Sequence, residues 1–506
     1  MPRRQSVRTI TDAMAPLLAS ALVFFTNAAV LVLEILAGRL LAPYVGVTLE
    51  TFTGIIGVVL AGIALGTWYG GRLADRIDPH VLLGPMLVIG GALSIASVPL
   101  IRLFGSAQLG AGPVAIVVLS LVGFFLPAAV LSGVSPAVIK LQLADLDETG
   151  SVVGWLSALG TIGALFGTFV TGFLLVAALP SNPIVYTVGG ALVVAGILLW
   201  ARLSDRDPAS RPIVAAALVL AVSAGALGVI VPSRCQLETT YFCASVFVDP
   251  DRPSGRVLIL DTLRHSYVDL EDPTYLEFTY TRALSDLLET FAPPGEPLEV
   301  LHIGGGGLSL PQYLAATRPG TFSRVLELDP SIVELAQDQL GLVLSEDLQV
   351  RTGDARINVQ EEPAGTYDLV IGDAFGGQAV PWHLTTAELM GDVRRALDDD
   401  GLYAINLIDY GNLGFARAEA ATLRSVFAHV AIIAPAERIE RRVGGNFVMV
   451  GSDVPLPVED IRARQTARDD GYLIIASPEE FDAFVEDGMV LTDAYAPVDQ
   501  LLTPLT

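Results

Sequence analysis

The pattern of apolar and polar residues divides the chain into two halves of different character. Up to residue 232, apolar runs long enough to cross about 30 Å of hydrocarbon alternate with short polar loops. These runs lie at 15–38, 51–70, 81–101, 112–139, 152–180, 183–200 and 213–232. The pattern therefore predicts a multi-pass transmembrane domain of about seven helices over residues 1–232.

The second half has shorter runs with a different periodicity. Residues 244–248, 256–260 and 266–270 are β-rich and are separated by turn residues, which predicts a small β-rich subdomain over 233–292. From 293 to 506, apolar runs at 298–303, 323–328, 348–351, 367–372 and 402–408 alternate with helical segments. This alternation is typical of an open parallel α/β sheet of the Rossmann type.

Composition and charge support this division. The chain is 52% hydrophobic and only 17% charged, which is typical of a membrane protein. Residues 1–232 contain 10 acidic and 11 basic side chains, whereas residues 233–506 contain 44 and 19, a net charge of −25. An acidic surface argues against nucleic acid as a partner, since phosphate binding needs a basic face. It is compatible with a cationic substrate, although solubility alone also explains it. We expect the lipid bilayer as a partner and leave homo-oligomer formation open.

One carboxylate lies inside the first apolar run. Glu34 is followed by Arg39, and an acidic side chain at membrane depth is costly, so it marks a candidate functional site. The alternative interpretation is a structural pair between Glu34 and Arg39 near the helix end, with the arginine reaching the interface.

The most informative stretch of the second half begins at its first predicted strand. Four glycines, Gly304, Gly305, Gly306 and Gly307, follow that strand, and glycines there let the backbone approach a ligand at a helix N-terminus. The next strand ends at Glu327, where a carboxylate can accept the hydroxyls of a ribose. The two features predict a nucleoside site.

Two further carboxylates follow the next two predicted strands. Asp354 comes after the third strand in T-G-D-A, and Asp373 after the fourth in Y-D-L-V-I-G-D-A-F. Ligands of open parallel sheets bind at these strand ends. A carboxylate in the third position can accept from an adenine amino group, and one in the fourth can accept a proton from a nucleophile. A single Asp after a strand is more often a helix cap, so the prediction depends on all four positions together.

At these residues the sequence resembles the polyamine aminopropyltransferases, or spermidine synthases, in a membrane-fused bacterial form. The motifs cover about 240 to 450, and L-A-G-R-L-L-A-P-Y and G-G-R-L-A-D-R extend the resemblance into the first half. The resemblance implies a class I methyltransferase-like (Rossmann-type) sheet with a small β-rich N-terminal subdomain. It also implies transfer of an aminopropyl group from decarboxylated S-adenosylmethionine to an amine, without a metal. It implies that Gly304, Gly305, Gly306 and Glu327 bind the nucleoside, that Asp354 and Ala355 bind adenine, and that Asp373 and Tyr275 are catalytic.

The sequence also departs from the family pattern where the amine would bind. The family motif G-G-G-D ends here in Gly307, and D-S-S-D reads D-A-F-G, with Gly376 in the second acidic place. Leu276 replaces the histidine of the family's Y-H-E segment, and Phe242 replaces a glutamine. Desolvating a diamine without carboxylates costs several kcal/mol, so putrescine is a doubtful substrate. His265, Trp382 and His383 are further candidates at the site, the tryptophan as a cover for a bound cation.

Three functions fit this pattern. The first is a membrane-anchored, spermidine synthase-like transferase. The second is an S-adenosylmethionine-dependent methyltransferase on the same fold, and the third is a non-catalytic sensor or transport-associated membrane protein, since a fold does not fix a function.

Loop charges predict an orientation that conflicts with an adenosyl donor. Basic residues concentrate in the N-terminal segment and alternate loops, at Arg3, Arg4, Arg8, Arg72, Arg76, Lys140, Arg202, Arg206 and Arg211. The positive-inside rule then places the N-terminus in the cytoplasm and, after seven crossings, residues from 233 onward outside. Cys235 and Cys243 would suit a disulfide there. An adenosyl donor instead favours the cytoplasm, so the side and the disulfide stay open.

Overall fold

A computed structural model describes residues 14–107, 110, 112–143, 149–203, 210–376, 380–469 and 471–502. Arg3, Arg4, Arg8 and Arg206, used in the orientation argument, lie outside the described residues. Contacts divide the chain into two compact units, Met1–Cys243 and Ala244–Thr506. The predicted boundary at 232 marks the end of the last apolar run.

In the described part of the first unit, seven helices are long and apolar enough to cross a membrane. They are α1 Pro16–Val45, α2 Leu49–Arg76, α3 Pro79–Gly105, α4 Pro113–Gln142, α5 Thr149–Ala178, α6 Ser181–Leu203 and α7 Arg211–Ile230. Each corresponds to one predicted apolar run. This unit is thus compatible with a multi-pass membrane protein.

Close packing of α5 on α1 depends on glycine. A Cβ added to Gly163 would lie 2.2 Å from the Phe24 carbonyl oxygen, and one added to Gly167 would lie 2.4 Å from that of Ala28. Both distances are too short for any side chain, so these two backbones touch only because the residues are glycine. Small residues commonly make such contacts between transmembrane helices.

Arg39 near the end of α1 pairs with Glu238 and not with Glu34. Its Nε lies 3.3 Å from Glu238 Oε1, and its guanidinium also donates to the carbonyl oxygens of Thr239 and Thr240. The expected pairing of Glu34 with Arg39 is therefore wrong. Residues five apart point in different directions around a helix, whereas helical neighbours are three or four apart.

The second unit begins with a small antiparallel sheet. Strand β1, Leu237–Glu238, lies at the end of the first unit, and β2 is Cys243–Val248. Strands β3, Gly255–Leu260, and β4, Leu263–Asp269, continue the sheet. β2 pairs with β3 and β3 with β4, both antiparallel. This agrees with the predicted β-rich segment.

The main sheet has eight strands, in the order β12-β10-β11-β9-β8-β5-β6-β7. Its strands are β5 Glu299–Ile303, β6 Phe322–Glu327, β7 Leu348–Thr352, β8 Tyr367–Gly372, β9 Leu397–Asp409, β10 His429–Pro435, β11 Gly445–Ser452 and β12 Tyr472–Ile475. Strands β5 to β9 are parallel, as predicted. The inner strands β5, β6, β8 and β9 are mostly buried, as in sheets covered on both faces, whereas most of the edge strand β7 is only partly buried. The antiparallel strands β10 to β12 were not predicted.

Helices cover both faces of this sheet. They are α8 Thr279–Phe291, α9 Ser309–Thr317, α10 Pro330–Gln339, α11 Ala355–Glu361, α12 Ala387–Ala396, α13 Gly414–Val426, α14 Ala436–Ile439, α15 Val458–Arg468, α16 Pro478–Val485 and α17 Val498–Leu501. One apolar core contains Tyr403, Ile405 and α13, and the other contains α8 and Ala404. Successive residues of β9 thus enter opposite cores, as the alternation of a strand requires.

Arg318 at the end of α9 is fully buried and holds the C-terminal end of α8. Its guanidinium donates to the carbonyl oxygens of Leu288, Ala292, Pro293 and Glu296 at 2.8–2.9 Å. The last carbonyls of a helix have no partner within the helix, so this one cation satisfies several acceptors at once.

We expect Arg318→Met to lower the free energy of unfolding of the second unit by about 3 kcal/mol or more, because several buried carbonyls lose a charged donor. The measurement is thermal unfolding of the full chain. Arg464→Met, at an exposed position on α15, is the matched control and should leave the transition unchanged.

Candidate functional site

Four loops meet at the carboxyl ends of neighbouring parallel strands. The Gly304 N–H donates to the Leu326 carbonyl, the Gly353 N–H to that of Glu327, and the Asp373 N–H to that of Ile303, all at 2.8–2.9 Å. Because β8, β5, β6 and β7 are consecutive in the sheet, these bonds bring together the residues that follow each strand. The predicted nucleoside-binding positions therefore lie along one edge.

Glu327 organises the glycine loop. Its Oε2 accepts the N–H groups of Gly305 and Gly306 at 2.8 and 3.2 Å, and its Oε1 accepts that of Asp329 at 3.0 Å. Burial raises the pKa of the carboxyl, and the three N–H bonds act in the opposite direction. A carboxylate has about four acceptor positions, so Oε1 retains capacity for a ribose hydroxyl. Ribose binding by Glu327 stays a prediction.

The backbone of the loop needs glycine at its first residue. Gly304 has φ +95°, a conformation that side chains rarely adopt, and a Cβ there would lie 2.5 Å from the Asp373 carbonyl oxygen. The glycine loop therefore packs directly against Asp373, the residue that follows β8.

Ser266 on β4 fills the place beside Gly307. Its Oγ accepts the Gly307 N–H at 2.8 Å, and a Cβ added to Gly307 would lie 2.7 Å from the Ser266 Cβ. Ser266 is 6% exposed, so it cannot move aside without repacking. Residue 307 is a glycine, and Ser266 leaves no space for an acidic side chain at this position. The sequence reasoning missed Ser266.

Asp373 receives two side-chain hydrogen bonds, one on each oxygen. The Tyr280 hydroxyl donates to Oδ2 at 2.9 Å, and the Asn406 amide donates to Oδ1 at 2.8 Å. Burial raises the pKa of Asp373, while both donors lower it because they favour the charged form. A raised pKa brings a carboxylate closer to what a general base needs near neutral pH.

The tyrosine that reaches Asp373 is Tyr280, to which the sequence analysis gave no role; Tyr275 is the tyrosine that the resemblance implies to be catalytic. The Tyr275 hydroxyl donates to Glu277 Oε2 at 2.7 Å, and the Arg252 guanidinium lies 3.8 Å from the centre of its ring. Tyr280 lies at the start of α8 and packs beside Phe278. Y-L-E at 275 shares both tyrosine and glutamate with the family's Y-H-E, so the sequence match favoured the earlier tyrosine. The catalytic role of Tyr275 stays a prediction.

Asp354 caps α11. Its Oδ1 accepts the Arg356 N–H at 2.8 Å, which is the ordinary helix-cap role, and Ala355 is the first, buried residue of the helix. His383 Nε2 lies 3.7 Å from the same oxygen, and the Trp382 ring lies beside that imidazole. Adenine binding by Asp354 and Ala355 stays a prediction.

His265, the third of these candidates, lies on β4 next to Ser266. Burial lowers its pKa to about 4, so the imidazole is neutral at physiological pH. It would therefore not add a positive charge to the site.

Another buried carboxyl lies on α13, the helix that packs in the core of Tyr403 and Ile405. Glu419 on α13 is 1% exposed, and its Oε2 has no hydrogen-bond partner in the described structure. Burial raises its pKa well above the ordinary value. The charged form of Glu419 would also raise the pKa of Tyr403, whose hydroxyl lies near Gly372. Glu419 therefore keeps its proton in the folded protein to a higher pH than in the unfolded chain.

Glu419 therefore makes stability fall as pH rises. Above the ordinary pKa of about 4.5 the unfolded chain loses this proton while the folded protein keeps it, which costs up to about 1.4 kcal/mol per pH unit until the folded pKa is reached. We expect Glu419→Gln to raise the melting temperature more at pH 6 than at pH 4, because these values lie on either side of the ordinary pKa. Glu346→Gln, at an exposed position, should change neither. An equal gain at both values would contradict this assignment.

Comparisons with known proteins find partial similarities. No family model matches the chain. The polyamine aminopropyltransferase of Vibrio vulnificus is 34% identical over 164 residues, 32% of this chain and 52% of the relative. Polyamine aminopropyltransferase 2 of Streptomyces coelicolor is 29% identical over 307 residues, 56% of this chain and 54% of the relative. The eEF1A lysine and N-terminal methyltransferase of Danio rerio is 28% identical over 122 residues, 22% of this chain and 18% of the relative.

A similar solved structure is that of a probable spermidine synthase from Corynebacterium glutamicum. It has 24% sequence identity and a TM-score of 0.49, covering 54% of this chain and 100% of that chain. The chain spans about half the length of the polyamine aminopropyltransferases named above. It is thus similar, over part of its length, to polyamine aminopropyltransferases.

Proposed function

We propose that the second unit is a transferase that moves a group from an adenosyl sulfonium compound to an amine, in the manner of a spermidine synthase. The observation that carries this proposal is the shared edge formed by Gly304, Glu327, Asp354 and Asp373. Glu327, the proposed nucleoside-binding carboxylate, and Asp373, a half-buried carboxyl with a raised pKa, lie at the ends of β6 and β8, on either side of β5. The partly similar aminopropyltransferases support the same chemistry.

The residues present fit an adenosyl donor. Glu327 keeps acceptor capacity for a ribose hydroxyl, and Gly304 to Gly306 have no side chains that would keep a ligand from their backbone. Decarboxylated S-adenosylmethionine, when bound, supplies a sulfur leaving group that is already positively charged. The chain therefore has to position the two reactants and accept a proton.

Asp373 is the proton acceptor in this proposal. The amine nitrogen bonds to the carbon attached to sulfur, the carbon–sulfur bond breaks, and its electron pair stays on sulfur, which becomes a neutral thioether. The nitrogen loses one proton to Asp373. Tyr280 and Asn406 hold the two carboxylate oxygens so that a free lone pair faces the nucleophile.

A second candidate, methyl transfer from S-adenosylmethionine, is favoured by Gly307. Ser266 excludes a carboxylate there, and Gly376 leaves another acidic place of the family motif without charge. A diamine or an aminopropyl ammonium would then be desolvated without a partner, at a cost of several kcal/mol. Putrescine is accordingly not the acceptor we expect.

The test supplies purified full-length protein with each donor and one panel of amines, including putrescine, 1,3-diaminopropane and a monoamine. Release of methylthioadenosine from the decarboxylated donor supports aminopropyl transfer, and release of S-adenosylhomocysteine supports methyl transfer. Neither product with any acceptor, while both donors bind, would favour the non-catalytic interpretation and overturn the proposal.

We also propose that the first unit anchors the transferase in a membrane. Its seven apolar helices support this, and Cys235, half-buried with a free thiol, reports the side. Labelling of intact cells with an impermeant maleimide, with Cys235→Ser as control, separates the two orientations. Labelling only after permeabilisation would place this residue in the cytoplasm and contradict the orientation from loop charges.

A further inference from the structure

Two asparagine side chains form a series of hydrogen bonds that ends at the Asp373 carboxylate. The Asn406 amide nitrogen donates to Asp373 Oδ1 at 2.8 Å, and the Asn446 amide nitrogen donates to Asn406 Oδ1 at 3.0 Å. Asn406 is 2% exposed, which is unusual for a neutral polar residue inside a sheet. Sequence reasoning gave neither residue a role.

Strand register explains why the two amides meet. β9 and β11 are antiparallel, with Asn406 opposite Val448 and Asn446 opposite Ile408. Asn446 is therefore the diagonal neighbour of Asn406 on the same face of the sheet, a separation that long side chains can bridge. The face they share also carries Ala404 and packs toward α8, from which Tyr280 reaches Asp373.

The chemistry of the groups fixes the direction of both hydrogen bonds. An ionised carboxylate only accepts, so Asn406 must turn its NH₂ toward Asp373. Its carbonyl oxygen then faces Asn446 and needs a donor, which the NH₂ of Asn446 supplies. If Asn446 gave no donor, Asn406 could rotate and present its oxygen to Asp373, which would repel the ionised form.

The backbone of Asn446 is itself held in place. Arg438 Nη1 donates to the Asn446 carbonyl oxygen at 2.9 Å. The preceding Gly445 has φ +143°, and a Cβ there would lie 2.7 Å from Arg438 Nε. The chain therefore enters β11 in one conformation, which orients the Asn446 side chain toward β9.

We propose that Asn446 is a positioning residue that locks Asn406 as a hydrogen-bond donor and so keeps Asp373 oriented as a proton acceptor. This inference rests on the proposed role of Asp373 as the base. Among the described residues, the titratable group facing Asp373 is Tyr280 on α8, while β9 and the loop after β5 present the neutral Asn406 amide and Gly304 backbone. Asn446 acts only through Asn406.

The experiment is an infrared titration of the Asp373 carboxyl in the full-length protein reconstituted in vesicles without substrate. Subtracting the titration of Asp373→Asn isolates this one carboxyl from the others. We expect Asn446→Leu to raise the titration midpoint by about one pH unit, the size of one charge-assisted hydrogen bond. Tyr280→Phe, which removes the donor on the other oxygen, provides the reference shift.

Two neutral variants separate positioning from general damage. Asn446→Gln keeps an NH₂ donor and should restore the midpoint toward that of the unmodified protein, while Asn412→Leu, at an exposed site, should leave it unchanged. An unchanged midpoint in Asn446→Leu would overturn the proposal. Equal shifts in Asn446→Leu, Asn446→Gln and Asn412→Leu would also overturn it. If Asn446→Leu does not fold, Asn446→Ala is judged by the same criterion. Because no substrate is present, failure of the transferase proposal would appear separately, in the donor assays.

Discussion

Asp373→Asn is expected to reduce the rate of group transfer by about 10²- to 10⁴-fold, the range that general base catalysis supplies. The amide cannot take the proton of the attacking amine, and the reaction would depend on water for that step. Because Asn and Asp have nearly the same shape, the hydrogen bonds from Tyr280 and Asn406 can rearrange without loss of packing. The measurement is the single-turnover rate with the donor and acceptor found active.

Nucleoside binding provides the control for this variant. Methylthioadenosine should bind Asp373→Asn about as tightly as the unmodified protein, because Glu327 and the glycine loop are untouched. A variant that transfers at the full rate would remove Asp373 from the role of base. Loss of nucleoside binding together with rate would show damage to the whole site.

Glu327→Ala should weaken nucleoside binding by about 100-fold or more. The substitution removes the proposed ribose acceptor, and it also leaves the N–H groups of Gly305, Gly306 and Asp329 without their partner. Each hydrogen bond to a charged group contributes about 1.5–3 kcal/mol, so the loop would lose its bound conformation as well. Isothermal titration with methylthioadenosine measures the effect.

Glu327→Gln distinguishes charge from shape. The amide keeps one oxygen acceptor but places an NH₂ against backbone donors, so we expect an intermediate loss. Equal affinity in Glu327→Ala and the unmodified protein would show that the nucleoside, if it binds, does so elsewhere.

The local features of this site could be predicted from the sequence because each depends on residues close together in the chain. A buried parallel strand appears as a continuous apolar run, and the residue after it lies at the ligand edge of the sheet. Gly304, Glu327, Asp354 and Asp373 were located by this rule alone. The seven apolar helices could also be predicted, because each appears in the sequence as one long apolar run.

What the sequence could not show depends on pairings between distant segments. Ser266 meets Gly307 only because β4 lies over the glycine loop. Asn406 and Asn446 meet through the register of β9 and β11, and neither lies in a recognisable motif. Tyr280 was missed because an earlier tyrosine matched the family segment better, although the later one reaches Asp373. The antiparallel strands after α13 lacked a clear alternating pattern.

We propose that this chain holds an adenosyl compound at the edge formed by the glycine loop and Glu327. Isothermal titration of the purified full-length protein with methylthioadenosine, beside Glu327→Ala, tests it most directly. The account predicts saturable binding with one nucleoside per chain that Glu327→Ala abolishes. Absence of binding by methylthioadenosine and by both S-adenosyl donors would contradict it.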